Sequence, residues 1–146
     1  MNKYKELKKR HEQEFSALPL KFAFGPKQFD EMMKEWQLDP EQDLDKICTV
    51  GYGGYIQIKD ADNFIQTQRR HNKELKDAIA EDKTGGGFIY EMFYYELCNH
   101  EYGYTRNAES TLDALGYTYN DLLKDERLMC GFEKAINKII REDNEQ

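Results

Sequence analysis

Cysteine is scarce in this sequence, and the three that occur lie far apart, at Cys48, Cys98 and Cys130. No two of them have the spacing of a disulfide framework or of a structural zinc site, so we expect free thiols, no bound metal and no cofactor. Hydrophobic runs are short as well: none approaches the roughly 20 residues that cross a bilayer, and no secretory signal pattern is present. The sequence therefore predicts a protein of the reducing cytoplasm that does not span a membrane.

Excess positive charge is also missing. The chain has 28 acidic and 21 basic residues, which gives a formal net charge of −7 at pH 7. Acidic residues outnumber basic ones most clearly in two stretches, residues 27–46 and 91–126. Proteins that bind nucleic acid normally have a basic face, so this charge disfavours direct nucleic-acid binding and favours a partner with a basic surface. Solubility alone would also account for this excess of acidic residues.

Apolar residues make up 39% of the 146 residues and aromatic residues 13%, which is enough for one hydrophobic core. A chain of this length is too short for two good cores, so we expect a single domain over residues 1–146. Apolar residues recur at spacings of three and four along most of the chain, which is typical of helices that bury one face. The sequence thus predicts a mainly α fold, a compact domain of six or seven helices.

Proline, glycine and capping residues divide these helices. The first is expected within residues 1–18, before Pro19, and the second begins at Pro26. Gly116 is placed to end a short helix in the left-handed conformation, and Thr118 with Asp121 resembles a capping box that starts the next one. Asp125 begins the last helix. The tail over residues 142–146 is expected to fray.

Two glycine-containing segments echo each other, Gly54-Tyr55-Ile56 and Gly87-Phe88-Ile89. Each lies between helical stretches, which is the order of a paired EF-hand, in which two short strands pair. The carboxylate ligands that calcium requires are mostly absent, so we expect a metal-free helix–loop–helix pair. Its minimal two-stranded pairing would join Ile56 and Ile89. The triple glycine that ends at Gly87 lacks the lysine of a phosphate-binding loop, and a plain turn is the expected structure there.

A dense group of polar and titratable side chains follows a strongly aromatic helical segment. His100 could act as a general base with Glu101 to orient it, and Tyr102 and Tyr104 could stack on a ligand. Arg106 could meet a phosphate. The alternative is a helix end at which His100 caps carbonyl groups and the tyrosines pack. No nucleophile motif, phosphate loop or metal cluster accompanies the group, so we expect no enzyme.

Three segments of the chain resemble a family of short uncharacterised proteins that bacteriophages, prophages and other mobile elements of gut bacteria encode. The segments are FAFGPKQFDEMMKEW from Phe22, GYGGYIQIKDAD from Gly51, and GGGFIYEMFYYELCNHEYGYTRNAESTLDALGYT from Gly85. With their connections they span residues 18–140. The resemblance implies a mobile-element origin and the cytoplasm of a bacterial host, and it brings no activity and no catalytic residue with it.

Small acidic proteins of mobile elements often occupy a surface of a host defence protein. The nucleic-acid channels of CRISPR effectors and restriction enzymes are lined with lysine and arginine, so clustered carboxylates can compete with the phosphate backbone. We therefore expect a non-enzymatic inhibitor of the anti-CRISPR or anti-restriction type, whose oligomeric state the sequence leaves open. The carboxylates expected to contact this partner are those of Glu31, Glu35, Asp39, Glu109, Asp113 and Asp121.

The alternative hypothesis comes from a different class of protein, a module that binds a nucleotide or another small signal molecule and sequesters it. Its pocket would use the loop over residues 99–106, where aromatic rings can stack on a base. The residues expected to line that pocket are His100, Glu101, Tyr102, Tyr104 and Arg106.

Overall fold

The structure, a computed structural model, describes residues 1–145. The predicted mainly α fold is confirmed: the described residues contain eight α-helices and one small sheet. By its internal contacts the chain divides into two compact units. Unit 1 comprises residues 1–10 and the chain from Glu74 onward, and unit 2 comprises His11–Lys73. The single domain over residues 1–146 stays a prediction, and Gln146 lies outside the described residues.

The helices and strands follow one another along the chain, with one 3₁₀ turn at Leu44–Lys46. In chain order they are α1 (Lys3–Ser16), β1 (Lys21–Phe22), α2 (Pro26–Glu35), β2 (Ile47–Gly51), β3 (Gly54–Gln57), α3 (Ile58–Glu81), α4 (Phe88–Asn99), α5 (Tyr102–Thr105), α6 (Glu109–Leu115), α7 (Tyr119–Lys124) and α8 (Glu126–Asn144).

Helices α4 and α8 form the centre of unit 1. Helix α4 is almost wholly apolar or aromatic, and it buries its side chains completely at Met92, Phe93 and Leu97. Helix α8 is amphipathic and turns a stripe that includes Phe132 and Ala135 toward the same hydrophobic core. The Phe93 and Phe132 rings meet edge to face with their centroids 5.4 Å apart, a favoured arrangement of aromatic pairs.

Unit 2 contains an antiparallel sheet in the order β1-β3-β2. Strands β2 and β3 form a hairpin whose turn passes through Tyr52 and Gly53, both with positive φ. Helix α2 packs Met32 and Met33 into a small core beside Ala23 of the chain that follows β1. Proline at the first position of α2 suits the helix start because its missing N–H needs no partner there.

The expected pairing of Ile56 with Ile89 is wrong. Ile56 lies in β3, which pairs with β1 and β2, and Ile89 lies in the first turn of α4. The sheet therefore has three strands rather than two, and the paired strands of an EF-hand are absent from residues 1–145. The segment from Ile47 to Val50, in which three of four residues are β-branched, supplies the partner strand locally through a short hairpin, so no distant segment is needed.

Several local predictions are confirmed, and some boundaries move. Gly116 ends α6 with φ +79°, the Thr118 capping box starts α7, and Asp125 caps α8 with its side chain. The first helix is shorter than expected, and the aromatic segment is followed by a further short helix, α5, that was not predicted. Helix α8 continues to Asn144, past the expected start of the tail, and the Tyr94 hydroxyl donates a 2.7 Å hydrogen bond to Glu142.

Candidate functional site

Some acidic residues of the stretch 91–126 have carboxylates that already form hydrogen bonds or ion pairs within the protein, and others do not. Glu91 accepts a hydrogen bond from the backbone N–H of Lys3, and the buried Glu96 forms an ion pair of 3.1 Å with Lys8. Asp121 belongs to the α7 capping box, where its carboxylate accepts the Thr118 N–H at 2.8 Å. One of the residues predicted to bind a partner, Asp121, therefore has a structural role at the start of a helix.

Glu109 and Asp113 are different, because neither carboxylate has a hydrogen bond or an ion pair within residues 1–145. Both side chains are exposed. They lie four residues apart on α6, so they share one face of the helix with their Cβ atoms about 5–6 Å apart. The structure thus brings two of the predicted partner-binding residues together with their charges unpaired.

Glu109 and Asp113 are among the residues that line a cleft of about 430 Å³. We call it the acidic aromatic cleft, and it is lined by Ala108, Glu109, Leu112, Asp113, Tyr117, Thr118, Tyr119 and Phe132. Leu112 and Phe132 are buried, whereas Tyr119 is 56% exposed and meets Phe132 edge to face at 6.4 Å. An apolar, aromatic interior is therefore combined with two negative charges.

The turn between α6 and α7 places the tyrosines against α6. Gly116 adopts the left-handed conformation, and the next N–H, that of Tyr117, returns to the Leu112 carbonyl at 2.9 Å. Burial raises the pKa of Tyr117, and the negative charge of Asp125 adds to this. Two local motifs, a glycine helix end and a capping box, thus position the aromatic side of the cleft.

In the stretch 27–46 most of the predicted residues are also used by the fold. Glu35 forms a 2.6 Å ion pair with Lys21. The Asp39 carboxylate accepts the backbone N–H groups of Glu41 and Gln42 at 2.8 and 3.0 Å, which stabilises a turn. Glu31 alone of the three predicted residues has no hydrogen bond or ion pair from its side chain among the described residues.

Glu31 and Glu35 line a groove of about 550 Å³ in unit 2, which we call the phenylalanine groove. It is lined by Leu20, Lys21, Phe22, Phe24, Gln28, Glu31, Met32 and Glu35. Phe22 and Phe24 are 51% and 70% exposed. Exposed aromatic residues that adjoin one another are typical of contact surfaces, so this groove is a second candidate site.

The residues of the alternative ligand pocket converge only in part: the Arg106 guanidinium lies 6.0 Å from the centre of the Tyr102 ring. Tyr102 is buried in the core of unit 1, and the Arg106 guanidinium is held by Asp143 at 2.7 Å. His100 forms the end of α4, where its backbone N–H donates to the Glu96 carbonyl. Only Glu101 and the exposed Tyr104 line a common cleft, together with Cys98, Gly103 and Ile139. A carboxylate in that cleft disfavours the phosphate of a nucleotide, and the nucleotide hypothesis stays a prediction.

In the triple-glycine turn, the carboxylate of Asp82 lies where the anion of a phosphate-binding loop would lie. Both carboxylate oxygens of Asp82 accept backbone N–H groups around the start of α4: one from Thr84 and Gly85, the other from Gly87 and Ile89, at 3.0–3.3 Å. Burial opposes ionisation of Asp82, but these hydrogen bonds outweigh it and lower its pKa. The N–H groups that could have held a phosphate are thus already satisfied.

Sequence reasoning missed the aromatic residues of the cleft. Tyr117 and Tyr119 flank the capping-box threonine, and Phe132 lies in the apolar stripe of the last helix. Two tyrosines placed around a predicted helix start could have marked them, because that position brings them close to the preceding helix. Their convergence with Phe132 depends on tertiary packing, which no local pattern shows.

No helix within residues 1–145 is long and apolar enough to cross a membrane. All three cysteines are free thiols, and Cys98 and Cys130 are exposed. Although the residue is exposed, partial desolvation of the Cys98 sulfur raises its pKa, which disfavours the thiolate form.

Comparison with known proteins places the chain in a family. Neither a curated protein nor a solved structure matches it. A family model described as "Family of unknown function (DUF7659)" matches residues 3–138. The chain therefore belongs to this family of unknown function.

Proposed function

We propose that this protein is a non-enzymatic binder that occupies a basic surface of a partner protein, with the acidic aromatic cleft at the centre of the contact. The observation that carries the proposal is that Glu109 and Asp113 are exposed, without partners in residues 1–145, and adjoin a largely apolar cleft. Carboxylates without internal partners are available for intermolecular ion pairs, and the aromatic interior supplies the apolar contact area that such pairs alone lack.

The charge pattern supports a basic partner rather than an acidic one. Negative charge steers a basic surface toward the molecule and selects against nucleic acid and acidic proteins. Exposed ion pairs contribute only about 0–1 kcal/mol each, so we expect the cleft's apolar contacts to provide much of the affinity and the carboxylates to provide specificity.

The proposed partner is a host defence protein, either a CRISPR effector or a restriction component. This part of the proposal is supported by the resemblance to mobile-element proteins and by the chemistry of nucleic-acid channels. Such channels present lysine and arginine to phosphates, and carboxylates on a folded domain can occupy the same positions. Blocking then requires no chemistry, only a complex that excludes the nucleic acid.

Affinity capture with a matched set of variants tests this function. The wild-type chain, the double variant Glu109→Gln/Asp113→Asn and the control Glu133→Gln would be immobilised and exposed to a bacterial lysate that contains defence systems. Glu133 is exposed on α8 and lines none of the clefts described above. We expect quantitative mass spectrometry to show one basic nucleic-acid-binding protein that wild type and control retain and the double variant loses.

The captured protein would then be purified and assayed for nucleic-acid binding with and without the wild-type chain. Loss of nucleic-acid binding at a one-to-one ratio is the expected result. Identical captured proteins for wild type and both variants, or a captured partner whose nucleic-acid binding is unchanged, would contradict the proposal.

A further inference from the structure

We propose that the acidic aromatic cleft is a receptor for a single arginine side chain of the partner. This inference rests on the proposed function and names the chemical group that the cleft recognises. It follows from the combination of two unpaired carboxylates with an aromatic interior in one cleft of about 430 Å³.

The carboxylates define the charge of the ligand. Glu109 and Asp113 lie on the same face of α6, one helical turn apart, at a spacing where both can approach one planar guanidinium group. Hydrogen bonds between guanidinium and carboxylate are charge-assisted and are frequently bidentate. An anion would be repelled, and a neutral apolar ligand would leave two carboxylates partly desolvated without partners.

The aromatic residues define the shape of the ligand. Tyr119 is more than half exposed and therefore accessible, and it stands edge to face against the buried Phe132. A guanidinium group stacks on aromatic rings, and the three methylene groups of arginine can lie along Leu112 and Phe132. Lysine has a comparable apolar stem, but its ammonium is a compact charge that cannot stack and bridge two carboxylates together. We therefore expect arginine to bind more tightly than lysine.

A titration with capped tripeptides tests the inference directly. The probes are Gly-Arg-Gly, Gly-Lys-Gly and the same peptide with citrulline, which has the shape of arginine without its charge. Binding to the isotope-labelled full chain would be followed by NMR. We expect the arginine peptide to shift the signals of Leu112, Tyr119 and Phe132, the lysine peptide to bind severalfold more weakly, and the citrulline peptide to cause no saturable shift.

Two variants test whether the carboxylates of Glu109 and Asp113 are responsible for binding the arginine peptide. Glu109→Gln/Asp113→Asn should lower the affinity for the arginine peptide about fivefold or more. Glu133→Gln should bind the peptide as tightly as wild type does. A two-dimensional NMR spectrum of each variant establishes that it remains folded. Equal shifts from the arginine and citrulline peptides, or an unchanged affinity in the double variant, would overturn the inference.

The outcomes for the cleft and for the proposed function can be distinguished. If a host protein is lost from the double variant in the capture experiment but the arginine peptide does not bind, the function stands and the arginine receptor is overturned. If the arginine peptide binds through the two carboxylates but no defence protein is captured, the receptor stands and the proposed function falls.

Discussion

At the scale of single residues, Asp82 has the most demanding structural role of any acidic residue described above. Its carboxylate accepts four backbone N–H groups, those of Thr84 and Gly85 in the turn and those of Gly87 and Ile89 at the start of α4, where the first N–H groups lack partners within the helix. Arg127 complements it from α8 by donating to the Asp82 and Ile79 carbonyls at 2.9 and 3.0 Å, which caps the end of α3. In the sequence Asp82 stands only as an acidic residue ahead of the triple glycine, because its hydrogen bonds depend on the path of the glycine turn.

The substitution Asp82→Asn should destabilise the protein substantially. An amide group would replace one acceptor oxygen with an NH₂ that faces two backbone N–H donors, and leaving such groups unpaired costs about 1–3 kcal/mol. Chemical denaturation would measure the loss. The control is Asp113→Asn, which removes a charge from an exposed residue without a hydrogen bond, and which should change the free energy of unfolding by less than about 0.5 kcal/mol. Equal stabilities for the two variants would contradict this role of Asp82.

The contribution of Asp82 should also depend on pH. Its pKa in the folded protein is lowered, below the value of about 3.9 expected in the unfolded chain. The stabilisation is therefore complete above the unfolded pKa and is lost as the pH falls through the folded pKa. The difference in unfolding free energy between wild type and Asp82→Asn should stay constant from about pH 7 to about pH 5 and shrink below about pH 4. A difference that stays constant down to about pH 2.5 would rule out ionisation of Asp82 as its source.

At the scale of elements, the close approach of α4 and α8 depends on Gly131. A Cβ atom at this position would lie 2.6 Å from the Gly85 carbonyl oxygen and 2.6 Å from a methyl carbon of Ile89. Glycine inside a helix normally costs about 1 kcal/mol relative to alanine, so its presence in α8 is explained by packing rather than by helix propensity.

Gly131→Ala should therefore destabilise the protein although alanine is the better helix former. We expect a loss of about 1–3 kcal/mol from the forced displacement of α4, measured by thermal or chemical denaturation. The neighbouring exposed Cys130 offers a matched control, since Cys130→Ala makes the same helix-favouring change without a clash and should be neutral or slightly stabilising. A stabilised Gly131→Ala variant would show that the two helices are not in close contact there.

The elements that were predicted from sequence are those with local signals. Gly116, Thr118 and Asp121 specify a helix end and a capping box within six residues, and both are found where they were expected. The sheet was only partly predicted, because no strand was predicted over β2 despite its β-branched residues. The pairing of Ile56 with Ile89 failed since sequence similarity between two short segments does not determine which strands meet.

At the scale of the whole molecule, the acidic composition favours a basic partner, but it does not indicate which carboxylates are available to one. Half of the six acidic residues predicted to bind a partner are already used to cap a turn or a helix or to form an ion pair: Glu35, Asp39 and Asp121. Glu31, Glu109 and Asp113 keep unpaired carboxylates within the described residues, and all three adjoin clefts with aromatic side chains. Only the tertiary structure distinguishes the carboxylates that have internal partners from those that do not, because the sequence shows each of them simply as an acidic residue.

If Glu109 and Asp113 bind a basic surface, the affinity of the protein for the captured partner should depend on the salt concentration. The dissociation constant would be measured by calorimetry over a series of salt concentrations for wild type, Glu109→Gln/Asp113→Asn and Glu133→Gln. Because exposed ion pairs are screened by salt, we expect the affinity of wild type to fall as the salt concentration rises. The double variant should form a weaker complex whose affinity depends less on salt. Glu133→Gln should behave like wild type. An affinity that is independent of salt, or a double variant that matches wild type at every salt concentration, would contradict the account.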